Sequence, residues 1–358
     1  MGITHQTQAG DLIYTVVDDC TTSFWAVITG SVTDEILGGF YAADFRISQT
    51  DLGTKTTPNG LYALTGYPDQ LFPQLAITSY PMNFVLQATG FRDFNISMSV
   101  PVAATFPVLA PTAAMRRLPV RIQGRVVSNI SRAPIANALV LSVDDPLSPP
   151  PAVHTTALRS PLYFAHGAGA SAQFVSIGAG TPNKLNSDAL GGSQVLNMHT
   201  LSGTGSVIQL SSPGQVNLEY GLIDHVGPGA PGACQVFLKN PLNRTYPAAS
   251  TVANLTDATP TGTPTSLSTD ANAGDGVLRA PVLLNAPTGG TVVIDLGTAG
   301  EEYHEVGAVS DVDGYYGLDG MGRVPEIFLN ASQGALKQEV SWFIEYDNAI
   351  NLVDFRLS

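Results

Sequence analysis

The densest cluster of ionisable residues is the run Glu-Glu-Tyr-His-Glu at positions 301–305. Because side chains alternate between the two faces of a β-strand, Glu302 and His304 would share one face and their neighbours the other. Carboxylates and imidazoles bind metals, but a site here would need further ligands from elsewhere in the chain. Charge runs of this kind are typical of solvated surfaces. We therefore predict a solvent-exposed strand at 301–305 and no metal site.

An Asp-Val-Asp-Gly segment at 311–314 begins like a calcium-binding loop. It lacks the third acidic position, and Gly322 stands where the loop needs its closing Glu. Asp side chains in turns accept hydrogen bonds from nearby backbone N–H groups, and Gly takes positive φ at no steric cost. Strand-like runs flank the segment, so we predict a hairpin turn, like the one predicted at Asn-Gly 59–60.

No other spacing points to catalysis. The chain has no His-Glu-x-x-His pair, no Gly-x-Ser-x-Gly elbow and no complete phosphate-binding loop, and residues 166–170 (HGAGA) are predicted to be a flexible loop. Cys20 and Cys234 have no metal or redox spacing and are predicted to be free, buried thiols. We predict no catalytic, cofactor-binding or metal-binding residue, no cofactor and no enzymatic activity. The six histidines considered are His5, His154, His166, His199, His225 and His304.

The composition limits the partners. Charged residues make up only 13% of the 358 residues and the net charge is −13, which suits either a subunit with covered surfaces or a secreted protein with an uncharged polar surface. Nucleic-acid binding needs clustered Lys and Arg, yet the only adjacent basic pair is at 116–117, so no nucleic-acid partner is predicted. No apolar run approaches the roughly 20 residues that span a bilayer, and no secretion signal is visible at the start.

Period-two alternation dominates the chain, as at 94–100, and no long window has the three-and-four spacing of a helix. These patterns predict an all-β protein of short strands. Three prolines within 101–111 predict an extended linker over 103–117, with one possible helical turn at its end. The Thr/Pro/Ser/Gly-rich segment 254–276 is predicted to be a long mobile loop.

Two separated pieces, 118–145 and 303–358, carry a set of short motifs. The first contains Gly-x-Val and Pro-Ile-x-x-Ala-x-Val, and the second contains Asp-x-Asp-Gly-x-Tyr-x-Leu and ends in Phe-x-Leu. These pieces resemble the carboxypeptidase regulatory-like domain, a transthyretin-like β-sandwich, although Ala133 stands where that family often has Gly. Nothing here resembles the separate zinc-dependent catalytic domain of the carboxypeptidases, so no peptidase activity is implied. The matching residues are Gly124, Pro134, Ile135, Ala138, Val140, Asp311, Asp313, Gly314, Tyr316, Leu318, Phe355 and Leu357.

The first module matches the same family more loosely. We therefore predict tandem transthyretin-like β-sandwiches, the second interrupted by a β-rich inserted domain. The N-terminal sandwich would cover 1–102, the linker 103–117, the second sandwich 118–145 with 303–358, and the insertion 146–302. An insertion of this kind is readily accommodated, because strand ends lie close together at an exposed tip.

The ending of the chain also resembles regulatory-like domain proteins encoded with contractile injection systems and phage-tail-like particles. That resemblance implies a non-enzymatic structural subunit, for example a baseplate, cap or fibre component, whose partners are other subunits and copies of itself. Such a protein would be cytoplasmic during assembly and then part of a released or extracellular particle, without membrane insertion. The alternative is a surface adhesin or carbohydrate-binding protein with the insertion as its binding domain. The insertion contains few aromatic residues and no Trp, which disfavours that alternative.

Overall fold

The computed structural model describes residues 3–9, 12–17, 25–39, 45–48, 52–66, 78–178, 180–203, 205–212, 218–227, 233–255, 258–284 and 290–358. Within these ranges every long regular element is a β-strand, which confirms the all-β prediction. No helix among them is long and apolar enough to cross a membrane. The chain forms two compact units, Met1–Leu118 and Pro119–Ser358. Cys20 lies outside the described residues.

Two sheets of the first unit share one hydrophobic cluster. The strands of this unit are β1 (Ile3–Ala9), β2 (Leu12–Val17), β3 (Trp25–Asp34), β4 (Phe45–Ser48), β5 (Gly53–Thr56), β6 (Leu61–Gly66), β7 (Tyr80–Ala88), β8 (Phe94–Val100), β9 (Val108–Leu109) and β10 (Ala113–Met115). One sheet has the order β10-β3-β6-β5 with β9 also on β3, the other has the order β4-β7-β8, and β1 pairs with β2. Ile28 and Leu64 of the first sheet and Phe84 of the second are almost fully buried in the shared cluster.

The segment 103–117 is part of this unit's sheet rather than an extended linker. Both β9 and β10 pair in parallel with β3, and β10 takes the place of the predicted helical turn. Ala113 and Met115 alternate into the cluster with no exposed surface. The linker prediction is corrected for these residues, because two short stretches of alternation among prolines suffice to cover the edge of β3.

The second unit contains the remaining strands. They are β11 (Val120–Ser128), β12 (Leu139–Val143), β13 (His154–Ala157), β14 (Ser171–Ile177), β15 (Thr181–Lys184), β16 (Val195–Met198), β17 (Val207–Ser211), β18 (Leu218–Val226), β19 (Cys234–Leu238), β20 (Thr251–Leu255), β21 (Ala258–Ser266), β22 (Val277–Ala280), β23 (Thr291–Ile294), β24 (Glu302–Glu305), β25 (Ala308–Val309), β26 (Tyr315–Met321), β27 (Glu326–Gln333), β28 (Leu336–Phe343), β29 (Ile350–Leu352) and β30 (Phe355–Leu357).

The middle and the end of the chain meet in two facing sheets. Strand β11 pairs with β26, β29 and β30, and the other sheet has the order β25-β12-β27-β28. Ile122, Val140, Leu318 and Phe355 belong to one buried cluster. The predicted insertion is not separate from this core, because Ala157 and Val277 of β22 pack into the same cluster. The division into a sandwich and an inserted domain therefore stays a proposal.

The two predicted hairpin turns have different outcomes. At 59–60, β5 and β6 pair antiparallel around Gly60, which has φ 80°, as predicted. At 311–314, the Asp311 carboxylate accepts hydrogen bonds from the N–H groups of Asp313 and Tyr315, at 2.9 and 2.8 Å. However, β25 and β26 lie in different sheets, so this turn is an arch between sheets and not a hairpin.

Strands β13–β24 form two similar halves that exchange strands. The first half is β13–β18 and the second is β19–β24. The first strand of each half pairs with the fourth strand of the other half, which gives the pairs β13-β22 and β19-β16. The second strand of each half pairs with the third strand of the other, which gives the pairs β14-β21 and β20-β15. The sequence repeats with them: Leu-x-x-Pro-Leu occurs at 158–162 and 238–242, and Leu-x-x-Asp-Ala at 185–189 and 267–271. The predicted mobile loop 254–276 is wrong, since most of it is β21 and the turns that pair with the 158–170 loop.

Candidate functional site

The Glu302 carboxylate lies at the centre of a buried polar cluster. It is 1% exposed, and His304 beside it is fully buried. Glu302 Oε2 accepts hydrogen bonds from His304 Nε2 at 2.9 Å and from the Tyr163 N–H at 2.7 Å. Its other oxygen accepts one from His166 Nε2. The predicted solvent-exposed strand at 301–305 is therefore wrong, because a loop distant in sequence covers the face of β24 that carries Glu302 and His304. On the other face Tyr303 is also buried, and Glu301 and Glu305 are half-buried.

His166 reaches this position from the loop between β13 and β14. Its backbone exchanges hydrogen bonds with Ala271, with N–O distances of 2.8 and 2.9 Å. The segment 166–170, predicted to be a flexible loop, is therefore fixed by backbone hydrogen bonds at His166. The ring nitrogens of His166 contact two carboxylates, Glu302 and Asp295, the latter at 2.8 Å from Nδ1. Asp295 directly follows β23 and also accepts a hydrogen bond from the Ser171 N–H at 3.1 Å. The imidazole therefore joins the loop to both β23 and β24.

Opposite charges set the electrostatics of the cluster. Burial alone lowers the pKa of His166, but the hydrogen bonds and charges of Glu302 and Asp295 outweigh burial, and its pKa is raised. Burial alone raises the pKa of Glu302, yet the charge of His304 and the hydrogen bonds from both histidines lower it to about 2. The arrangement is an ion pair inside the protein, in which the imidazolium of His166 lies between two carboxylates.

A second buried carboxylate, Glu219 on β18, occupies the equivalent place in the other half. It is fully buried and accepts hydrogen bonds from the Asn243 N–H at 2.5 Å and from the hydroxyls of Tyr163 and Tyr246 at 2.8 and 2.9 Å. In the sequence repeat, Asn243 corresponds to Tyr163 and Tyr246 corresponds to His166, the two residues of that loop that bind Glu302. Here hydroxyls replace imidazoles, and burial raises the pKa of Glu219 despite its hydrogen bonds. Tyr163 connects the two sites.

Ser160, His304 and Glu302 are arranged like a hydrolytic triad. Ser160 Oγ lies 3.0 Å from His304 Nδ1, and His304 Nε2 lies 2.9 Å from Glu302 Oε2. A nucleophile must reach its substrate, yet Ser160 is 2% exposed and His304 fully buried. Glu302 also shares its charge with His166. The geometry suits attachment of the loop to β24, and the buried Ser160 presents almost no surface to a substrate.

The described residues include no group of three His, Cys, Asp or Glu side chains placed to hold a metal ion. The carboxylates of the cluster are directed at histidines and hydroxyls, which already supply their hydrogen bonds. Cys234 is free and half-buried, and His154 lies 2.8 Å from an Asp144 oxygen.

A cavity of about 380 Å³ adjoins the cluster. Arg159 and Glu305 form an ion pair in its wall, and Leu139 contributes an apolar side. The Tyr220 hydroxyl lies 3.4 Å from Glu305, and burial with that negative charge raises the pKa of Tyr220 to about 12. The cavity has the volume of a small-molecule site, but its charged groups already neutralise each other. A second cavity, of about 490 Å³, lies in the first unit beside Arg46 and Asp93.

Sequence reasoning did not single out most of these residues. The sequence patterns predict no function for Glu219, Tyr163 or Tyr246, and they predict Glu302 to be on the surface. The signal that leads to them is the internal repeat. A Glu-Tyr pair occurs at 219–220 and again at 302–303, at the same distance after each Leu-x-x-Pro-Leu motif to within a few residues.

Comparisons with known proteins give little. No protein-family model matches the chain, and no curated protein matches it. Among solved structures it is similar to BcpA, the major pilin subunit of Bacillus cereus, and to a variant of that pilin. Each alignment has 8% identity, covers 94% of this chain and 99% of the pilin, and has a TM-score of 0.19. Such a distant likeness supports no statement about function. The resemblance to the carboxypeptidase regulatory-like domain stays a prediction.

Proposed function

We propose that this chain is a non-enzymatic structural subunit of a large multiprotein particle. The observation that supports this most directly is the set of open sheet edges. All four residues of β5 are exposed, as are most residues of β21, and β28 alternates between exposed and half-buried positions. Each lies at the end of its sheet. Unpaired N–H and C=O groups along an edge form hydrogen bonds with a neighbour's strand, which is a common way to join β-domains.

The buried polar cluster supports the non-enzymatic part of this proposal. Side chains of catalytic type are present, but they are sealed among strands and satisfied by one another. Ser160 in particular is 2% exposed, and its hydroxyl lies 3.0 Å from Nδ1 of the fully buried His304. Groups held in this way fix the 158–170 loop against β24, which is a structural role.

We propose a phage-tail-like or contractile injection particle, in which the chain would be a baseplate, cap or fibre component. This finer assignment rests on the motifs shared by 118–145 and 303–358 with regulatory-like domains. It implies assembly in the cytoplasm and later release as part of the particle. Its partners would be other subunits of the assembly and copies of the same chain.

The test is to isolate particles from cells in which the chromosomal copy carries an affinity tag. The purified material is imaged by electron microscopy and its subunits are quantified by mass spectrometry. We expect the chain in a fixed ratio to tube or baseplate proteins, at one place on the particle. Recovery as a free monomer with no particle would contradict the proposal.

The alternative of an adhesin with the insertion as its binding domain is less well supported. Exposed aromatic side chains normally form a sugar-binding platform. In 146–302, Tyr163, Tyr220 and Tyr246 are buried, and the three phenylalanines are half-buried. A glycan array probed with the same purified chain tests this alternative, and specific binding there would favour it.

A further inference from the structure

Strand β28 is the longest open edge of the second unit that lacks protection. It pairs on one side with β27, in unbroken register from Glu326–Phe343 to Gln333–Leu336. Two other exposed end strands are protected. Strand β21 contains two prolines and an irregular register against β14, whereas β5 in the first unit has only four residues. Proline, bulges and shortness are the usual devices that keep sheet edges apart.

The hairpin geometry fixes which groups of β28 face the open edge. Two residues connect β27 to β28, so the flanking residues form a hydrogen-bonded pair and bonding then alternates along the strand. Lys337, Glu339 and Ser341 therefore direct their N–H and C=O groups away from β27. Within the described part of the chain, none of the three forms a further backbone hydrogen bond.

The two faces of β28 also differ. Val340 and Trp342 pack against the buried cluster of the sandwich, and Trp342 Nε1 donates to Asn351 Oδ1 at 3.0 Å. Lys337 and Glu339 lie on the exposed face. The Glu339 carboxylate is oriented by a hydrogen bond from Asn330 Nδ2 at 3.0 Å. The strand thus offers an open edge with one positive and one negative side chain two residues apart.

Building on the proposed function, we infer that β28 pairs antiparallel with β28 of a second copy of this chain. Backbone hydrogen bonds form between the copies only in registers that place the outward-directed residues, Lys337, Glu339 and Ser341, opposite one another. Lys337 opposite itself or Glu339 opposite itself brings like charges together. A twofold axis at Val340 places Glu339 opposite Ser341 and forms no opposite-charge pair. With Lys337 opposite Glu339, the axis passes through Gln338 and two opposite-charge pairs form. The contact is self-complementary, as a twofold interface must be.

The same register pairs the inner faces. Leu336, which is 39% exposed in the single chain, falls opposite Val340 of the second copy, and the pairing would therefore bury an apolar side chain beside each core. The sheets β25-β12-β27-β28 of both copies become one continuous sheet. The second copy thereby covers the open edge.

Charge reversal tests the inference on the full-length chain. Lys337→Glu and Glu339→Lys each place like charges opposite each other twice, while the double variant restores two attractive pairs. Sedimentation equilibrium is expected to show dimers for the wild type and the double variant. Each single variant should raise the dissociation constant by about tenfold or more, the factor that corresponds to about 1.4 kcal/mol.

Lys55→Glu is the matched control, because it makes the same charge change on β5, an exposed edge strand of the first unit. It should leave the dissociation constant unchanged. A wild-type monomer, or single variants that dimerise like the wild type, would overturn the inference. If the chain still copurifies with particles in that case, only the β28 contact is wrong. A monomer found in no particle removes the proposed function as well.

Discussion

Glu219 and Glu302 occupy equivalent positions in the two halves of the repeat but bind different partners. Glu302 faces His166 and His304, whereas Glu219 faces the hydroxyls of Tyr163 and Tyr246. A charge is expensive to bury unless an opposite charge accompanies it. The pKa of Glu302 is accordingly lowered and that of Glu219 raised. One fold position thus carries an ion pair in one half and a hydroxyl-bonded carboxyl in the other.

Glu302→Gln should destabilise the protein more than Glu219→Gln. The first change leaves His166 and His304 without their central carboxylate, and breaking a buried ion pair costs about 3–5 kcal/mol. The second leaves neutral hydroxyl partners for a neutral amide, a loss of about 1–3 kcal/mol. Urea unfolding followed by far-ultraviolet circular dichroism measures both. Equal losses would show that the histidines contribute no charge to the site.

The same cluster predicts how stability depends on pH. The pKa of His166 is raised in the folded protein, so its contribution to the free energy of unfolding is fully present below the unfolded pKa of about 6.5. That contribution is lost as the pH rises through the folded pKa. Glu302, lowered from 4.5 to about 2, stabilises above about pH 4.5, and this is lost as pH falls through about 2. The two contributions overlap between about pH 4.5 and 6.5. Asp295, Glu302 and His304 are the titratable groups that face His166 or its carboxylate partner.

His166→Gln isolates this contribution. The difference in unfolding free energy between wild type and variant should be largest between about pH 4.5 and 6.5, and it should shrink on either side. Chemical denaturation at a series of pH values gives this difference, and other titrating groups cancel in it. A difference that keeps growing above pH 7 would mean that His166 is neutral in the folded protein.

Gly124 shows how a motif read from the sequence acts at the scale of a strand. It lies on β11 where the parallel partner changes from β29 to β30. A Cβ atom there would lie 1.8 Å from the Val353 carbonyl oxygen. Val353 donates its N–H to Gln123 O at 2.9 Å, and the Arg125 N–H donates to Asp354 Oδ1 at 2.8 Å. The close approach lets the last strands complete the sheet.

Gly124→Ala should therefore lower the free energy of unfolding by about 1–3 kcal/mol or more, because the Val353 backbone must move. Gly167→Ala is the control, since a Cβ there meets nothing within 4 Å. It should be neutral or slightly stabilising. Thermal and urea unfolding of the two variants give the comparison. A neutral Gly124→Ala would mean that the last strands do not lie against β11 in this register.

At the scale of elements, local patterns predict strands well and their partners poorly. The alternation at 94–100 coincides with β8 (Phe94–Val100). The turn at 311–314 has the predicted hydrogen bonds, but local chemistry does not specify whether the next strand joins the same sheet. Glu302 looked exposed because its covering loop lies more than 130 residues away in sequence. Because these distant contacts determine the burial of Glu302, the sequence at 301–305 shows no hydrophobic periodicity that would predict it.

At the scale of the whole chain, the second unit is held together by clusters that cross the predicted domain boundary. Leu141 of β12 packs in one cluster with Leu158 and Leu278 of the predicted insertion. Ala157 and Val277 in turn join the cluster of the sandwich. Elements that share a core usually unfold together. The insertion and the sandwich are therefore expected to form one cooperative unit, even though the sequence suggests two domains.

Leu158→Ala tests this cooperativity. Leu158 is fully buried in the insertion, and its truncation should cost about 2–5 kcal/mol. Trp342 lies in the sandwich and, in a Trp25→Phe background, is the single fluorescent Trp. If the second unit is cooperative, Leu158→Ala lowers the unfolding midpoint reported by Trp342 as much as that from circular dichroism. An unchanged Trp342 midpoint would show that the sandwich folds without the insertion. Phe84→Ala, buried in the first unit's own cluster, should leave the Trp342 transition in place and so serves as the control.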